Sequence, residues 1–451
     1  MIRHTSFRSA EIDFLVSTVA EGESASVVGL SNVGKSALLR TLCLPDVPAR
    51  LLGERAAEFL FVYVDCNLML TLKTQGFYEV TLRAAQDALK QSGAPEALLA
   101  RLNEFYRKVV EPSSEFAIPL AFNDAIDALS QGLKQNLVFL LDEFDEPFAH
   151  LDSRVFLNLR ALSDKFGRRL CYIVATTTPL SARSTDSDVS EFVELFVGHQ
   201  CMLGMLPDDD ARALAAEFAA GEGAHLEAQD LDFIFAQAGG HAGLLHAVTR
   251  IVLSVLHGAP ERARSEGLAL ARERLEDDPI ARAECSKIWG QLSESERDAL
   301  IDMVLDPEAS LKPAARESLI EKDVLEDGHP ARVFGQHFAG FVRRQRRTRQ
   351  TAQAGVWVDV DSGEVTVDGR QIPTLTDLEY RLLLLLWGRL DKLCDKYQIV
   401  ENVWGQEYID EVDDARIEKL VSRLRAKLEA DPANPHYLHT VRGRGYKLAG
   451  V

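Results

Sequence analysis

Gly29-Leu30-Ser31-Asn32-Val33-Gly34-Lys35-Ser36 is the stretch on which the reading of this chain turns. The β-branched run Ala25-Ser26-Val27-Val28 precedes it, and the apolar-periodic segment Ala37-Leu38-Leu39-Arg40-Thr41-Leu42 follows. Strand, glycine loop and helix N-terminus in that order aim backbone N–H groups and the positive end of a helix dipole at one spot, the place a polyphosphate takes. The spacing G-x-x-x-x-G-K-S is the P-loop pattern. Gly34 lets the backbone curl where a Cβ would clash, Lys35 can reach the β- and γ-phosphates, and the Ser36 hydroxyl can hold Mg²⁺. Gly29, Ser31, Asn32, Val33, Gly34, Lys35, Ser36 and Ala37 are therefore the expected nucleotide-binding residues. The bland alternative is a Gly/Ser turn with a stray lysine; the flanking strand and helix argue against it.

A second apolar strand pattern, Leu137-Val138-Phe139-Leu140-Leu141, ends in Asp142-Glu143-Phe144-Asp145-Glu146. In open α/β sheets ligands gather at the C-terminal ends of strands, which is where these carboxylates fall. Asp142 is expected to serve the Mg²⁺ shell through water, and Glu143 to orient and deprotonate the attacking water. Asp145 reads more readily as a helix cap. A third strand pattern, Leu170 to Ala175, runs into Thr176-Thr177-Thr178-Pro179, whose hydroxyls either sense a γ-phosphate or cap the strand end. Arg183, just beyond, is read as a solvated surface residue, with a transition-state arginine as the sharper alternative. Ahead of the P-loop, Ser9 to Val19 has helical periodicity, and Phe7-Arg8 either packs on a nucleotide base or forms an N-terminal staple. Phe59 to Asp65 is a strand of the kind buried on both faces, and the stretch from Tyr78 to Leu133 reads as three helices, broken near Gly93-Ala94-Pro95 and Glu111-Pro112.

With 451 residues, the chain is long enough for about two to four domains. Apolar residues at 46% and charged residues at 26% are those of a soluble globular protein, and no apolar run is long enough to span a bilayer. With no signal-peptide pattern at the N-terminus, a cytoplasmic location is expected. Six scattered cysteines without a C-x-x-C pair indicate neither a zinc site nor a disulfide framework. A net charge of −19 excludes nonspecific coating of nucleic acid by the whole chain. The charge is uneven, however. Between Ala415 and Lys447 eight basic residues face three acidic ones, a net of +5, and Arg343, Arg344, Arg346, Arg347 and Arg349 form another basic cluster. An acidic body with a basic C-terminal end suits a protein that meets nucleic acid through one module.

Gly29 to Ser36, Leu137 to Glu143 and Ile173 to Thr178 resemble the Walker A, Walker B and sensor-1 elements of an AAA+/STAND-type P-loop ATPase. The resemblance implies an α/β core with a parallel sheet flanked by helices over residues 1–205, ATP or ADP with Mg²⁺ as cofactors, slow hydrolysis, and catalytic roles for Lys35, Glu143 and Thr176. It also implies a helical lid over 206–284 and a small winged-helix domain over 285–342. Gly239-Gly240-His241-Ala242-Gly243-Leu244-Leu245 is similar to the lid segment of that family, with Ala242 in place of the proline, and His241 is read as a helix cap. Ser293-Glu294-Ser295-Glu296 is a capping box, and Asp327-Gly328 a hairpin turn. Residues 343–355, polar and without periodicity, are expected to form a basic tether.

From Val356 the pattern changes to Val-rich strands around Asp361-Ser362-Gly363, a capping box Thr376-Asp377-Leu378-Glu379, helices over Asp395 to Trp404 and Asp413 to Glu429, and a final hairpin around Arg442-Gly443-Arg444-Gly445. This resembles the winged-helix output domain of OmpR/PhoB-type response regulators over nearly all of 356–451. In its third helix Ile417, Leu420, Val421, Leu424 and Leu428 share one arc, while Arg416, Lys419 and Arg423 fall on the opposite flank beside the small Ser422. Arg416, Lys419, Ser422 and Arg423, with Arg442 and Arg444 on the wing, are the expected DNA contacts. No receiver domain is visible upstream; an ATPase stands in its place. The expected function is an ATP-regulated, sequence-specific transcription regulator, with double-stranded DNA, a nucleotide-dependent second copy and RNA polymerase as the implied partners. The alternatives are a DNA-remodelling or replication-initiator-like ATPase and a defence or signalling ATPase that senses DNA.

Overall fold

The computed structural model describes residues 7–182, 187–258, 263–306, 309, 311–328, 331–352, 355–358, 365–373, 375–404, 412, 414–441 and 443–450. These form two compact units, one ending at Phe341 and the other beginning at Val342.

In the first unit, apolar runs without strict alternation become strands buried on both faces, as parallel sheets require. The strands are β1 (Ala25–Val28), β2 (Phe59–Asp65), β3 (Asn136–Asp142), β4 (Leu170–Thr176) and β5 (Gln200–Met202), all parallel, in the order β2-β3-β4-β1-β5. One face, with Val62, Val64, Phe139 and Leu141, packs under helices that include Thr74–Gln91, Ala117–Gly132 and Ser153–Phe166. The other, with Val27, Val138, Leu140 and Ile173, is covered by Ser9–Ala20 and the P-loop helix Lys35–Leu42. The three helices expected between β2 and β3 are present: Thr74–Gln91, Glu96–Val110 and Ala117–Gly132. The strand order carries the functional consequence. Because β4 lies between β1 and β3, the end of β4 at Thr176 stands between the P-loop and Asp142.

Five helices follow: Asp208–Gly221, Ala228–Ala238, Ala242–Gly258, Arg264–Asp277 and Pro279–Gly290. Next come Glu294–Leu305, Pro313–Glu321, a two-stranded hairpin of Leu325–Glu326 and Arg332–Val333, and the helix Gln336–Ala352. The capping box closes in both directions, with the Ser293 N–H on Glu296 Oε2 (2.6 Å) and the Glu296 N–H on Ser293 Oγ (3.3 Å). Two expected boundaries shift. The division at 284/285 falls inside the continuous helix Pro279–Gly290, and the stretch expected to be an irregular tether is helical as far as Ala352. Its Arg, Gln, Thr and Ala residues include good helix formers and no breaker, so helix propensity carries the segment without an apolar stripe.

In the second unit an antiparallel sheet of Val356–Val358, Val365–Val367 and Arg370–Gln371 precedes the helices Asp377–Trp387, Lys396–Val403 and Asp414–Leu428. The turn expected at Asp361-Ser362-Gly363 lies outside the described residues. The hairpin Leu438–Val441 and Gly445–Leu448 closes the unit, and Cys394 and Tyr446 exchange backbone hydrogen bonds of 2.8 and 2.9 Å on its other side. Leu382, Leu386, Ile399, Leu424 and Leu438 form its fully buried centre. Among the described residues, no helix is long and apolar enough to cross a membrane.

Gly240 lies between the helices Ala228–Ala238 and Ala242–Gly258, against the chain that leaves β5. A Cβ there would fall 2.1 Å from the Leu206 carbonyl oxygen and 2.6 Å from its nitrogen, while the Leu206 N–H donates to the Gly240 carbonyl (2.9 Å). With backbone on the opposing side, nothing flexible can move away. Gly240→Ala should lower stability by about 1–3 kcal/mol in urea melts of the full chain, the usual overpacking range.

Candidate nucleotide-binding site and recognition helix

The P-loop backbone turns at Gly34, whose φ of +116° is closed to a side-chain-bearing residue, and the helix starts on the next residue, Lys35. Lys35 is 5% exposed, and its ammonium donates to the carbonyls of Gly29 (2.8 Å) and Leu30 (3.0 Å). Burial pushes its pKa down, against the pull of the Asp145, Glu143 and Asp142 carboxylates. A dry ammonium at a helix N-terminus suits an incoming polyphosphate, which adds the anion that water would otherwise screen. Ser36, expected from the sequence to serve Mg²⁺, is half-buried on the first turn of the helix. Gly29 is needed for a different reason: a Cβ there would meet the Leu203 carbonyl at 2.4 Å.

Asp142 ends β3 with 1% exposure. Its Oδ2 accepts from the Tyr63 hydroxyl (2.5 Å) and its Oδ1 from the Glu143 N–H (3.0 Å), so both oxygens are oriented. Tyr63 is a residue that sequence reading missed. The available signal was a phenol within a doubly buried strand, since a buried hydroxyl needs a partner. Burial and Asp142 push the Tyr63 pKa far up, which keeps it a donor; the Arg40 guanidinium lies 4.8 Å over its ring.

Glu143 adopts a left-handed backbone (φ +52°), uncommon outside glycine. The cause is the next residue. Phe144 is fully buried among Phe77, Phe148, Phe156 and Phe192, and its N–H donates to the Ala175 carbonyl of β4 (3.0 Å). That anchor turns the chain sharply and leaves Glu143 half-buried beside Asp142. Burial and then the Asp142 charge raise the Glu143 pKa, with Lys35 opposing. A carboxylate of raised basicity is what a general base requires.

Thr176 is buried at the end of β4, but its hydroxyl donates to the Thr178 carbonyl (2.8 Å), so its hydrogen is used within its own loop. Asp145 accepts from the Thr177 N–H (3.0 Å) and hydroxyl (2.6 Å), a local structural role. Arg183 lies outside the described residues. Arg8 turns inward and donates to the Gly204 carbonyl (2.6 Å), tying the N-terminal helix to the end of β5 rather than presenting itself to a base.

The outer edge of the P-loop is bound to the helices that follow β5. His241 Nδ1 accepts from the Leu244 N–H (3.2 Å), which leaves Nε2 to donate to the Ser31 carbonyl (2.9 Å). The histidine thus caps its helix, as expected, and also holds the loop. Full burial pushes its pKa down to about 4, so it is neutral at ordinary pH. Asn32 Nδ2 donates to Glu284 Oε2 (2.7 Å), and the Gly243 N–H to the Asn32 carbonyl (3.1 Å). Gln291 completes the junction: its Oε1 accepts from the Ser31 N–H (2.9 Å) and its Nε2 donates to the Ser31 hydroxyl. Neither Glu284 nor Gln291 could be found from sequence, because each lies about 250 residues from the loop it touches.

In the second unit, the apolar arc Ile417, Leu420, Val421, Leu424 and Leu428 is buried, and Arg416, Lys419, Ser422 and Arg423 are exposed on the opposite flank. Arg444 is exposed on the turn of the final hairpin, and Arg442 lies outside the described residues. Two neighbouring cations are structural instead. Arg425 donates to the Leu438 carbonyl (2.9 and 2.7 Å), and Lys427 pairs with the buried Glu379 (2.7 Å).

Residues 369–448 match the family model "Transcriptional regulatory protein, C terminal". The second unit is a winged helix of the OmpR/PhoB type. Over 95 residues this chain is 43% identical to the sensory transduction protein RegX3 of Mycobacterium bovis, a match covering 21% of this chain and 40% of that relative. The chain thus spans about two fifths of the length of the curated relatives it matches. Among solved structures it is similar to the Walker-type ATPase PABY2304 of Pyrococcus abyssi, with a TM-score of 0.47 and 14% identity over 76% of this chain and 97% of that one. It is also similar to the RstA DNA-binding domain of Klebsiella pneumoniae in complex with the RstA box, with a TM-score of 0.20 and 26% identity over 22% and 94%. A five-stranded parallel α/β unit that carries the P-loop sequence pattern is thus followed in the chain by a C-terminal domain of the transcriptional-regulator type.

Lys35→Ala should abolish ATP binding, whereas Glu143→Gln should bind ATP and hydrolyse it far more slowly. Because the Glu143 pKa is raised, a base in that position loses activity as pH falls through a value above the ordinary carboxylate range. A pH–rate profile should show that acidic limb in the parent chain and lose it in Glu143→Gln; an unchanged limb removes Glu143 from the chemistry.

Proposed function

We propose that this chain is an ATP-regulated, sequence-specific DNA-binding transcription regulator, a STAND-type switch in which the nucleotide state governs the C-terminal winged helix. One observation carries the reading. The loop expected to cradle phosphate is hydrogen-bonded to three separate points of the lid and of the helix leading into the small winged helix: His241, Glu284 and Gln291. A ligand that reshapes that loop has to alter these contacts, so loading the site is coupled to the segments between it and the second unit.

Gly29 to Ala37 would hold the phosphates, with Ser36 and Asp142 serving Mg²⁺. Bound Mg²⁺ and nucleotide supply the electrophilic phosphorus and the charge neutralisation of phosphoryl transfer. The protein's own part is positioning. Tyr63 and the Glu143 N–H fix the Asp142 carboxylate, the Phe144 anchor holds Glu143 where a water can be deprotonated, and Lys35 brings positive charge to the transferred group. Hydrolysis is slow resetting chemistry.

The exposed cations of the helix Asp414–Leu428 support DNA as the partner, with the helix in the major groove and the Arg444 turn at the minor groove. Alanine at Arg416, Lys419, Arg423 or Arg444 should lower the salt slope of binding by about one unit where a phosphate contact is lost, or relax specificity by roughly 1–3 kcal/mol where a base contact is lost. Titration of a footprinted site at several salt concentrations separates the two. Equal affinity in all four variants moves the DNA contact elsewhere.

Assembly of two copies by ATP would raise apparent operator affinity by about 10²–10⁴-fold through effective concentration. Operator affinity and mass by light scattering, measured with ADP and with a non-hydrolysable ATP analogue, should differ. Identical values with both nucleotides overturn the switch. Turnover strongly stimulated by DNA of any sequence would indicate a DNA-remodelling ATPase instead.

A further inference from the structure

The two ends of the P-loop are distinguishable. Lys35, the residue that reaches the β- and γ-phosphates, lays its ammonium against the carbonyls of Gly29 and Leu30. The distal end of a bound polyphosphate therefore belongs beside Gly29 to Ser31, and the proximal end beside the helix N-terminus. At that distal end the Ser31 N–H is taken by the Gln291 carboxamide oxygen at 2.9 Å, and the same carboxamide donates through Nε2 to the Ser31 hydroxyl. We infer that Gln291 is a specificity-determining residue that sets the preference between nucleoside di- and triphosphates by competing with the terminal phosphate for the Ser31 amide. This rests on the reading that the P-loop takes a nucleotide.

Gln291 is held for that contact. Its own N–H donates to the Ile288 carbonyl (3.2 Å) at the end of the helix Pro279–Gly290, and the next residue, Leu292, is buried. On that same stretch Glu284 binds Asn32, and it is itself bonded to Lys287 (2.8 Å). Residues 284 and 291 are seven apart, two helical turns, so both reach the loop from one face. The loop is consequently gripped at two successive residues by a segment outside the ATPase core.

A neutral carboxamide is a weaker acceptor than a phosphate oxygen, so a third phosphate displaces it, but only at the expense of both Ser31 contacts. A diphosphate ends one phosphate short and leaves Gln291 in place. Gln291 thus lowers triphosphate affinity selectively, and its release accompanies triphosphate binding alone.

The test uses the full-length chain with Mg²⁺, measuring the affinities of ADP and of a non-hydrolysable ATP analogue by displacement of a fluorescent ADP. Gln291→Ala should tighten the triphosphate analogue by about 3- to 10-fold, the range of one or two hydrogen bonds, and leave ADP unchanged. Gln291→Met, of similar length but without either polar atom, should do the same and guards against misfolding of the alanine variant. Gln291→Glu sets a negative charge against the terminal phosphate and should weaken the triphosphate more than the diphosphate. Equal shifts for both nucleotides, or no shift, overturn the inference while nucleotide binding stands. If the parent chain binds neither nucleotide, or Lys35→Ala binds both as well as the parent does, the nucleotide reading fails and the inference with it.

Discussion

Lys35 holds an ammonium almost out of water, between two backbone carbonyls and within the field of three carboxylates. A lone buried charge costs several kcal/mol, and much of the first unit is arranged so that this one is not alone. The β1–P-loop–helix order supplies carbonyls on one side. The sheet order brings Asp142 and Glu143 from β3 to the same edge, with β4 between. Phe144 makes the geometry rigid: its ring fills an aromatic cluster and its N–H bonds to Ala175 of β4, so the bend after Asp142 has no freedom to relax.

The second organising feature is the grip of distant segments on Ser31 and Asn32. Three side chains from 241, 284 and 291 reach two adjacent loop residues, and glycines make the approach close enough. At Gly243 a Cβ would fall 2.5 Å from Glu284 Oε2, and at Gly239 (φ +57°) it would fall 2.2 Å from the Phe334 carbonyl. Small residues here serve contact between layers, not flexibility. The loop and the helices packed on it are thereby joined by side-chain hydrogen bonds at Ser31 and Asn32.

The C-terminal unit divides its positive charge between two tasks. Lys427 and Arg425 face inward to Glu379 and the Leu438 carbonyl and stitch the third helix to the capping box and the final hairpin. Glu429 likewise accepts three backbone N–H groups, from His436, Tyr437 and Leu438, and so fixes where that hairpin begins. What remains exposed on the helix flank is Arg416, Lys419 and Arg423. Net charge counted along the chain merges these two groups, although they stand in different surroundings.

Local signals were legible in the sequence because local physics produces them. The P-loop spacing, the apolar strand ending at Asp142, the capping boxes at Ser293 and Thr376, and the buried arc of the third helix each depend on residues within one or two turns. The boundaries were less so. The expected tether after 343 is helical because intrinsic propensity sufficed without periodicity, and a division placed at 284/285 cuts a continuous helix. Contacts across long separations could not be read at all. Tyr63 meets Asp142 only because β2 pairs with β3 in the register Asp65 to Asp142. Thr176 reaches the site but commits its hydroxyl hydrogen to Thr178, a choice of rotamer and loop path. Gln291 finds Ser31 across 260 residues. Sequence alone determined which elements form and which chemistry each can carry, because propensity, capping and periodicity act over a few residues. Only the tertiary structure decided which of those groups share a site, because strand order and helix packing depend on the whole chain at once.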